Sequence, residues 1–222
     1  MKNVKLMYYM YESEINALYF CINNIFEFSK EKKSMNNLNL ERKIVLDLAV
    51  SLDGFIEGIN GEIDWCIMDE DMNFIEFLDS VDTIFYGRKS YDLWGKYALD
   101  NDASDMDREM WQKVHSKKKV VFSKSLTNID NAKVINSNIV EEVNKIKNEP
   151  GKDIWLYGGA SLITTFINLG LVDEYRLSIH PVVLGGGKPL FVNIKERQEL
   201  KLVNTRTFSS GVVQLCYQTI RK

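Results

Sequence analysis

One stretch constrains the fold more than any other: Asp153 to Val192, DIWLYGGASLITTFINLGLVDEYRLSIHPVVLGGGKPLFV. Ile154 to Tyr157 is an apolar run that predicts a buried strand. It meets Gly158 and Gly159, and a helix follows at once, because Leu162, Ile163, Phe166 and Ile167 share one face at 3.6-residue spacing. Gly170 stands where a helix is usually closed. A second apolar strand, Tyr175 to Leu184, then runs into three glycines. A strand, a glycine pair and a helix N-terminus make an anion site, since free N–H groups and the helix dipole both favour negative charge. The same glycines also suit a plain strand-to-helix turn.

The rest of the chain alternates in the same way. Arg42 to Ser51 is nearly all apolar, as a central strand buried on both faces would be. Asp53-Gly54 turns the chain. A helix is expected from Met72 to Asp79. On it Asp71 heads the face carrying Phe74, Ile75 and Leu78, so its carboxylate points inward, while Asp69 and Glu70 form an ordinary acidic first turn. Val81 to Tyr86 reads as a strand that ends in Gly87-Arg88-Lys89-Ser90. Cations at a helix N-terminus oppose the dipole, so two together point to a bound anion. Gly87 would allow close approach, Ser90 would donate and Arg88 would clamp a phosphate. Lys118 to Phe122 is a strand leaving into Ser123-Lys124-Ser125, Ala132 to Asn136 a short strand, and Ile139 to Lys147 a helix. Glu199 to Phe208 and Gly211 to Ile220 read as a hairpin. The order implies an α/β domain: a central, mostly parallel sheet with helices on both faces and an antiparallel C-terminal hairpin. It carries no GxGxxG, and Pro189 after Gly185-Gly186-Gly187-Lys188 rules out a P-loop.

Residues 1–40 stand apart from the domain at 41–222. Ile15, Leu18, Tyr19, Ile22, Ile25 and Phe26 form an apolar helical stripe, and Ser29 to Asn39 is a polar linker. Two readings stand: a helical extension covering a core face or a partner, or a non-native extension ahead of a start at Met35. The net charge of -3 leaves no basic footprint for nucleic acid. Three scattered cysteines without a CxxC, and two histidines, fit a reducing cytoplasm and no metal site. No run of about 18 uncharged apolar residues is present, so no membrane span is expected.

The glycine pair Gly158-Gly159 before a helix, Leu171-Val172-Asp173-Glu174, and Leu184 to Phe191 together resemble the reductase domain of the riboflavin-biosynthesis deaminase/reductase enzymes. The resemblance runs over residues 42–221. It implies a dihydrofolate-reductase-like fold and NADPH as cofactor. By that resemblance the cofactor lies against Ala49, Gly87, Arg88, Lys89, Ser90, Ser123, Lys124, Tyr157, Gly158, Gly159, Ala160, Ser161 and Leu162. The Gly158–Gly159 peptide is cis in that family. The superfamily's single catalytic carboxylate falls on Asp71, with Asp53 as the other acid considered. Asp53, Trp65, Phe74 and Ser178 fall on the substrate side. The implied activity is hydride transfer to a small heterocycle or a ribosylamino-pyrimidine, as in 5-amino-6-(5-phosphoribosylamino)uracil reductase. Dihydrofolate reduction and non-catalytic NADPH binding are the alternatives. Lys117 stands where dihydrofolate reductases have a folate-binding arginine, which counts against folate. The expected partner is a small-molecule substrate, in a chain that could form a homodimer.

Overall fold

The computed structural model describes residues 41–95, 99 and 102–221. The helical stripe between Ile15 and Phe26, and Met35, lie outside the described residues. The first strand, β1 (Ile44–Ser51), is followed by the short β2 (Phe55–Glu57), helix α1 (Phe74–Ser80) and β3 (Val81–Gly87). A short helical turn, Arg88–Ser90, runs on into a wide turn at Tyr91–Gly95. Then come α2 (Asp105–His115), β4 (Lys118–Phe122), β5 (Lys133–Ile135), α3 (Ile139–Lys147), β6 (Asp153–Gly158) and α4 (Ala160–Asn168). β7 (Glu174–His180), β8 (Lys188–Pro189), β9 (Leu200–Thr207) and β10 (Val213–Thr219) complete the order.

Eight strands form one sheet in the order β5-β4-β3-β6-β1-β7-β10-β9. The six from β5 to β7 are parallel, and β10 runs antiparallel to both β7 and β9. The apolar runs divide between two faces because successive side chains of a strand point opposite ways. Ile44, Leu46, Phe85 and Leu156 go to one face, under Val143 and Ile146 of α3 and Ile163 and Phe166 of α4. Val45, Ile84, Tyr86 and Trp155 go to the other, under Phe77 and Leu78 of α1. This accounts for strands that are continuously apolar rather than alternating. α2 starts on a reciprocal cap: the Asp107 amide donates to Ser104 Oγ at 3.1 Å, and the Ser104 amide to Asp107 Oδ2 at 3.2 Å.

Two boundaries and one pair of strands differ from the sequence reading. α1 begins at Phe74, not Met72, because Asn73 adopts a left-handed conformation (φ 50°) and Glu70–Met72 forms a separate 3-10 turn. β7 stops at His180, not Leu184, since Pro181 has no N–H to continue the ladder. β2 and β8 pair as a small second sheet, in segments to which the sequence assigned no strand.

Candidate active site at the carboxyl edge of the sheet

Parallel strands end together, so the residues after β1, β3, β4, β6 and β7 meet at one edge. There Gly87 closes β3 against the Gly158–Gly159 peptide, which is cis. A Cβ on Gly87 would lie 3.4 Å from the Gly158 oxygen and the Gly159 nitrogen, and one on Gly159 would lie 3.1 Å from Ser90 Oγ. The result is a cradle of three glycine backbones, bordered by the side chains of Ser90, Leu162 and Ile163. α4 starts at its rim, and the amides of Leu162 and Ile163 already donate to the Gly159 carbonyl. The amides ahead of them, at Ala160 and Ser161, have no acceptor within the helix.

Next to the cradle stands a group of donors. Arg88 Nη1 reaches Ser125 Oγ at 3.5 Å, and Ser123 Oγ accepts from the amides of Ser125 (3.3 Å) and Leu126 (3.2 Å). Two strand exits, after β3 and β4, are thus brought together. Arg88 Nε also lies 3.6 Å from Asp92 Oδ2. Lys89 and Lys124 are exposed, and Ser90 is half-buried.

The opposite lip is made by β1, β7 and the segment from Gly58 to Asp69. Ala49 and Ser178 are register partners, as are Ser51 and His180. Ser178 is buried and its Oγ accepts from Gln214 Nε2 at 3.3 Å. Trp65 is half-buried, donates Nε1 to the Glu62 carbonyl at 3.2 Å, and sets its ring edge-on to His180 at 5.4 Å. Behind the lip the triple-glycine loop is pressed onto β2: a Cβ on Gly187 would lie 2.1 Å from the Glu57 oxygen. Lys188 Nζ is paired with Glu57 Oε2 at 2.7 Å.

A profile of the RibD C-terminal domain matches residues 42–214. The chain belongs to the RibD C-terminal domain family. It is 69% identical over 183 residues to YyaP of Bacillus subtilis (strain 168), an uncharacterised protein, covering 82% of this chain and 97% of YyaP. Among solved structures it is similar to the diaminohydroxyphosphoribosylaminopyrimidine deaminase/5-amino-6-(5-phosphoribosylamino)uracil reductase of Thermotoga maritima. The TM-score is 0.58 at 15% identity, over 81% of this chain and 57% of that one. It is also similar to dihydrofolate reductase of Enterococcus faecalis complexed with NADP(H), with a TM-score of 0.56 at 14% identity, over 81% of this chain and 97% of that one. At such identities the likeness is one of fold, and the fold is dihydrofolate-reductase-like.

Several residues expected at the site of this RibD-type domain are placed otherwise. Asp71 does not point into an apolar pocket. It is exposed, Oδ2 accepts from the Ser209 amide at 3.3 Å, and its carbonyl accepts from Arg206 Nη2. The helix begins three residues after it, so the periodicity that aimed it inward does not reach it. Asp53, exposed on the turn after β1, staples the loop: it accepts from Ser51 Oγ (2.7 Å) and from the amides of Leu184 (3.2 Å) and Gly185 (2.7 Å). Desolvation raises its pKa, but the bonds from Ser51, Gly185 and Leu184 outweigh that and hold the carboxyl below its usual value. Phe74 is in an aromatic cluster with Phe77 and Trp155, at 5.7 and 5.6 Å. The Leu162 side chain is in the core, leaving only its backbone near the cradle. Tyr157 is half-buried at the end of β6, and desolvation, then the Tyr86 phenol, raise its pKa and keep it protonated.

Two groups escaped the sequence reading. Asp47 is a buried acid in β1, and His180 is buried at the lip. A lone acid in an apolar strand was a signal for the first. Nothing in the sequence marked the second, whose neighbours come from distant segments.

Among the described residues no helix is long and apolar enough to cross a membrane.

Proposed function

We propose that this chain is an NADPH-dependent reductase acting on a small nitrogen heterocycle, of the ribosylamino-pyrimidine class. The observation that carries the reading is the close backbone cradle of Gly87, Gly158 and Gly159, three residues without side chains of their own. A dinucleotide pyrophosphate needs such close backbone approach, and the α4 N-terminus beside it complements the charge. Arg88, Ser123, Lys124 and Ser125 are suited to hold a ribose 2′-phosphate. Gly158, Gly159, Ala160 and Ser161 are suited to the pyrophosphate. The cofactor, when bound, supplies the hydride. The protein's part is to orient the substrate against Ala49 and Ser178, with Trp65 covering it, and to exclude water. The family membership and the dihydrofolate-reductase-like fold support this reading.

The test is isothermal titration with NADPH. Wild type is expected to bind, and Gly159→Val, whose branched side chain would meet Ser90 and fill the cradle, is expected to lose detectable binding while staying folded. NADPH oxidation is then measured with a phosphoribosylamino-pyrimidine and with dihydrofolate. Absence of NADPH binding by folded wild type overturns the reading, and turnover of dihydrofolate alone reassigns the substrate.

A further inference from the structure

Arg176 is half-buried on β7, and among the described residues none accepts a hydrogen bond from its guanidinium. Its Cζ lies 4.6 Å from the centroid of the Phe77 ring. Its Nε is 3.0 Å from Asp47 Oδ2, yet neither atom of that pair is hydrogen-bonded. A guanidinium carries five N–H donors in a fixed fork, and the chain uses none of these. The side chain lines a cleft of about 380 Å³ between α1 and the outer strands β7, β10 and β9. Pockets for small molecules start at about 300 Å³.

The pleat sends alternate residues of each strand to this face. Arg176 pairs with Cys216 of β10. One row nearer the carboxyl edge, Ser178 pairs with Gln214, and Gln214 with Arg206 of β9. Arg206 is the second guanidinium of the cleft. It gives one N–H to the Asp71 carbonyl at 3.2 Å, lies 5.2 Å from the Phe208 ring and forms no ion pair among the described residues. Gln214, 5% exposed, lines the cleft on the strand between the two arginines, and Gln218 lines it farther along the same strand. The two acids in the lining are already engaged. Glu174 is 3.4 Å from Lys43 Nζ, and Glu76 accepts from Asn73 Nδ2 at 2.8 Å.

We propose that this cleft is a second binding site, separate from the cofactor cradle, for a small polar metabolite bearing an oxyanion, either phosphate or carboxylate. The oxyanion lies between the Arg176 and Arg206 guanidiniums, whose planar forks each match two oxygens at once. Gln214 and Gln218 serve the neutral polar part of the ligand. The cradle is at the ends of β3 and β6, whereas this cleft opens on the face of the outer strands. The site therefore stands without the reductase reading. The two adjoin at one point, where Gln214 Nε2 donates to Ser178 Oγ at 3.3 Å.

Side-chain nitrogen NMR of the full chain, without cofactor, tests the proposal. Arg176→Lys and Arg206→Gln assign the two Nε–H signals. Glycerol 3-phosphate is the phosphate probe and malonate the carboxylate probe, with sodium chloride at equal ionic strength as the reference. Both signals are expected to move together and to saturate with a dissociation constant of about 1 mM, and the tighter probe names the oxyanion. Arg206→Gln is expected to weaken the response at Arg176 about tenfold. Arg176→Lys keeps the charge but loses the fork, and is expected to weaken the response at Arg206 by a similar factor. Arg88, beside the cradle, is read separately in the same spectra. Shifts no larger than those with chloride overturn the proposal, as does saturation at Arg88 alone. An undiminished response at Arg176 in Arg206→Gln overturns it too. So do Arg176 and Arg206 signals that follow protein concentration and not the probes, which would seat a second copy in the cleft. Should Arg176→Lys not fold, Arg206→Gln decides alone.

Discussion

Asp47 and Arg176 face each other across β1 and β7, with Oδ2 and Nε 3.0 Å apart. Neither atom makes a hydrogen bond, so the pair is close in distance but not aligned. Burial pushes the Asp47 carboxyl up to about 6, with Arg176 lowering it and Glu174 raising it by smaller amounts. The unfolded carboxyl titrates near 3.8. Between those values the native state binds more protons than the unfolded state, so this group's contribution to stability falls as pH rises through the window and is lowest above it. Asp47→Asn removes that penalty. Its unfolding free energy relative to wild type is expected to increase by on the order of 2 kcal/mol from about pH 4 to about pH 7, measured by urea denaturation. A difference that does not change with pH would show that Arg176 fully compensates the charge. Asp71 makes a second residue-scale test. An exposed carboxylate tied to the Ser209 amide has no apolar pocket to tune it. Asp71→Asn is expected to keep turnover within about threefold, well short of the 10²–10⁴-fold worth of general acid catalysis. A hundredfold loss at neutral pH, recovered in acid, would restore its proton-supplying role.

At the scale of elements, cofactor preference depends on two strand exits that only the sheet makes neighbours. Arg88 follows β3 and Ser125 follows β4, and their side chains touch. A 2′-phosphate there would meet a guanidinium, a lysine and hydroxyls, and hydrogen bonds to charged groups contribute about 1.5–3 kcal/mol each. Arg88 is 54% exposed and shares its charge with Asp92, which reduces that figure. NADPH is therefore expected to bind about tenfold more tightly than NADH, on the order of 1.4 kcal/mol. Alanine at both Arg88 and Lys124 should erase the preference without weakening NADH. Dissociation constants for both cofactors, at two salt concentrations, check this, since exposed charges are screened. Equal affinities in wild type would remove the 2′-phosphate site.

The whole domain is fastened at the edge opposite the site. Arg42 is 2% exposed and donates to the carbonyls of Lys152 (2.5 Å) and Ile146 (3.2 Å), to Thr83 Oγ1 (2.7 Å) and to the Asp82 carboxylate. It ties the start of β1 to β3, to the end of α3 and to the entry of β6. Asp173 does similar work beside it, accepting from Lys147 Nζ (2.9 Å), the Ile44 amide (2.7 Å) and Arg221. Removing one member of a buried charged cluster leaves the others unpaired. Arg42→Ala is expected to cost about 3 kcal/mol and lower Tm by roughly 6–12 °C. NADPH affinity of the folded fraction should be unchanged, because the cradle lies at the other end of the strands. A Tm within about 2 °C of wild type would show that water replaces the guanidinium.

Residue order alone determined the alternating elements, the parallel sheet and the glycine cradle. These follow from local periodicity and from where glycine is permitted, and Ile154–Tyr157, Gly158-Gly159 and the Leu162–Ile167 face state them within a few residues. It determined the Arg88 turn for the same reason. Tertiary structure alone decided which acid is buried. Asp71 looked inward because a helix was carried back to Met72, and a single left-handed Asn73 ended that register. Asp47 has its partner, Arg176, 129 residues away in the chain, visible only once β7 lies beside β1. His180 is the extreme case, since its two carbonyl partners come from its own strand and from a segment 113 residues earlier. Local chain geometry is written in spacing, whereas the environment of a titratable group is set by whatever distant segments pack against it.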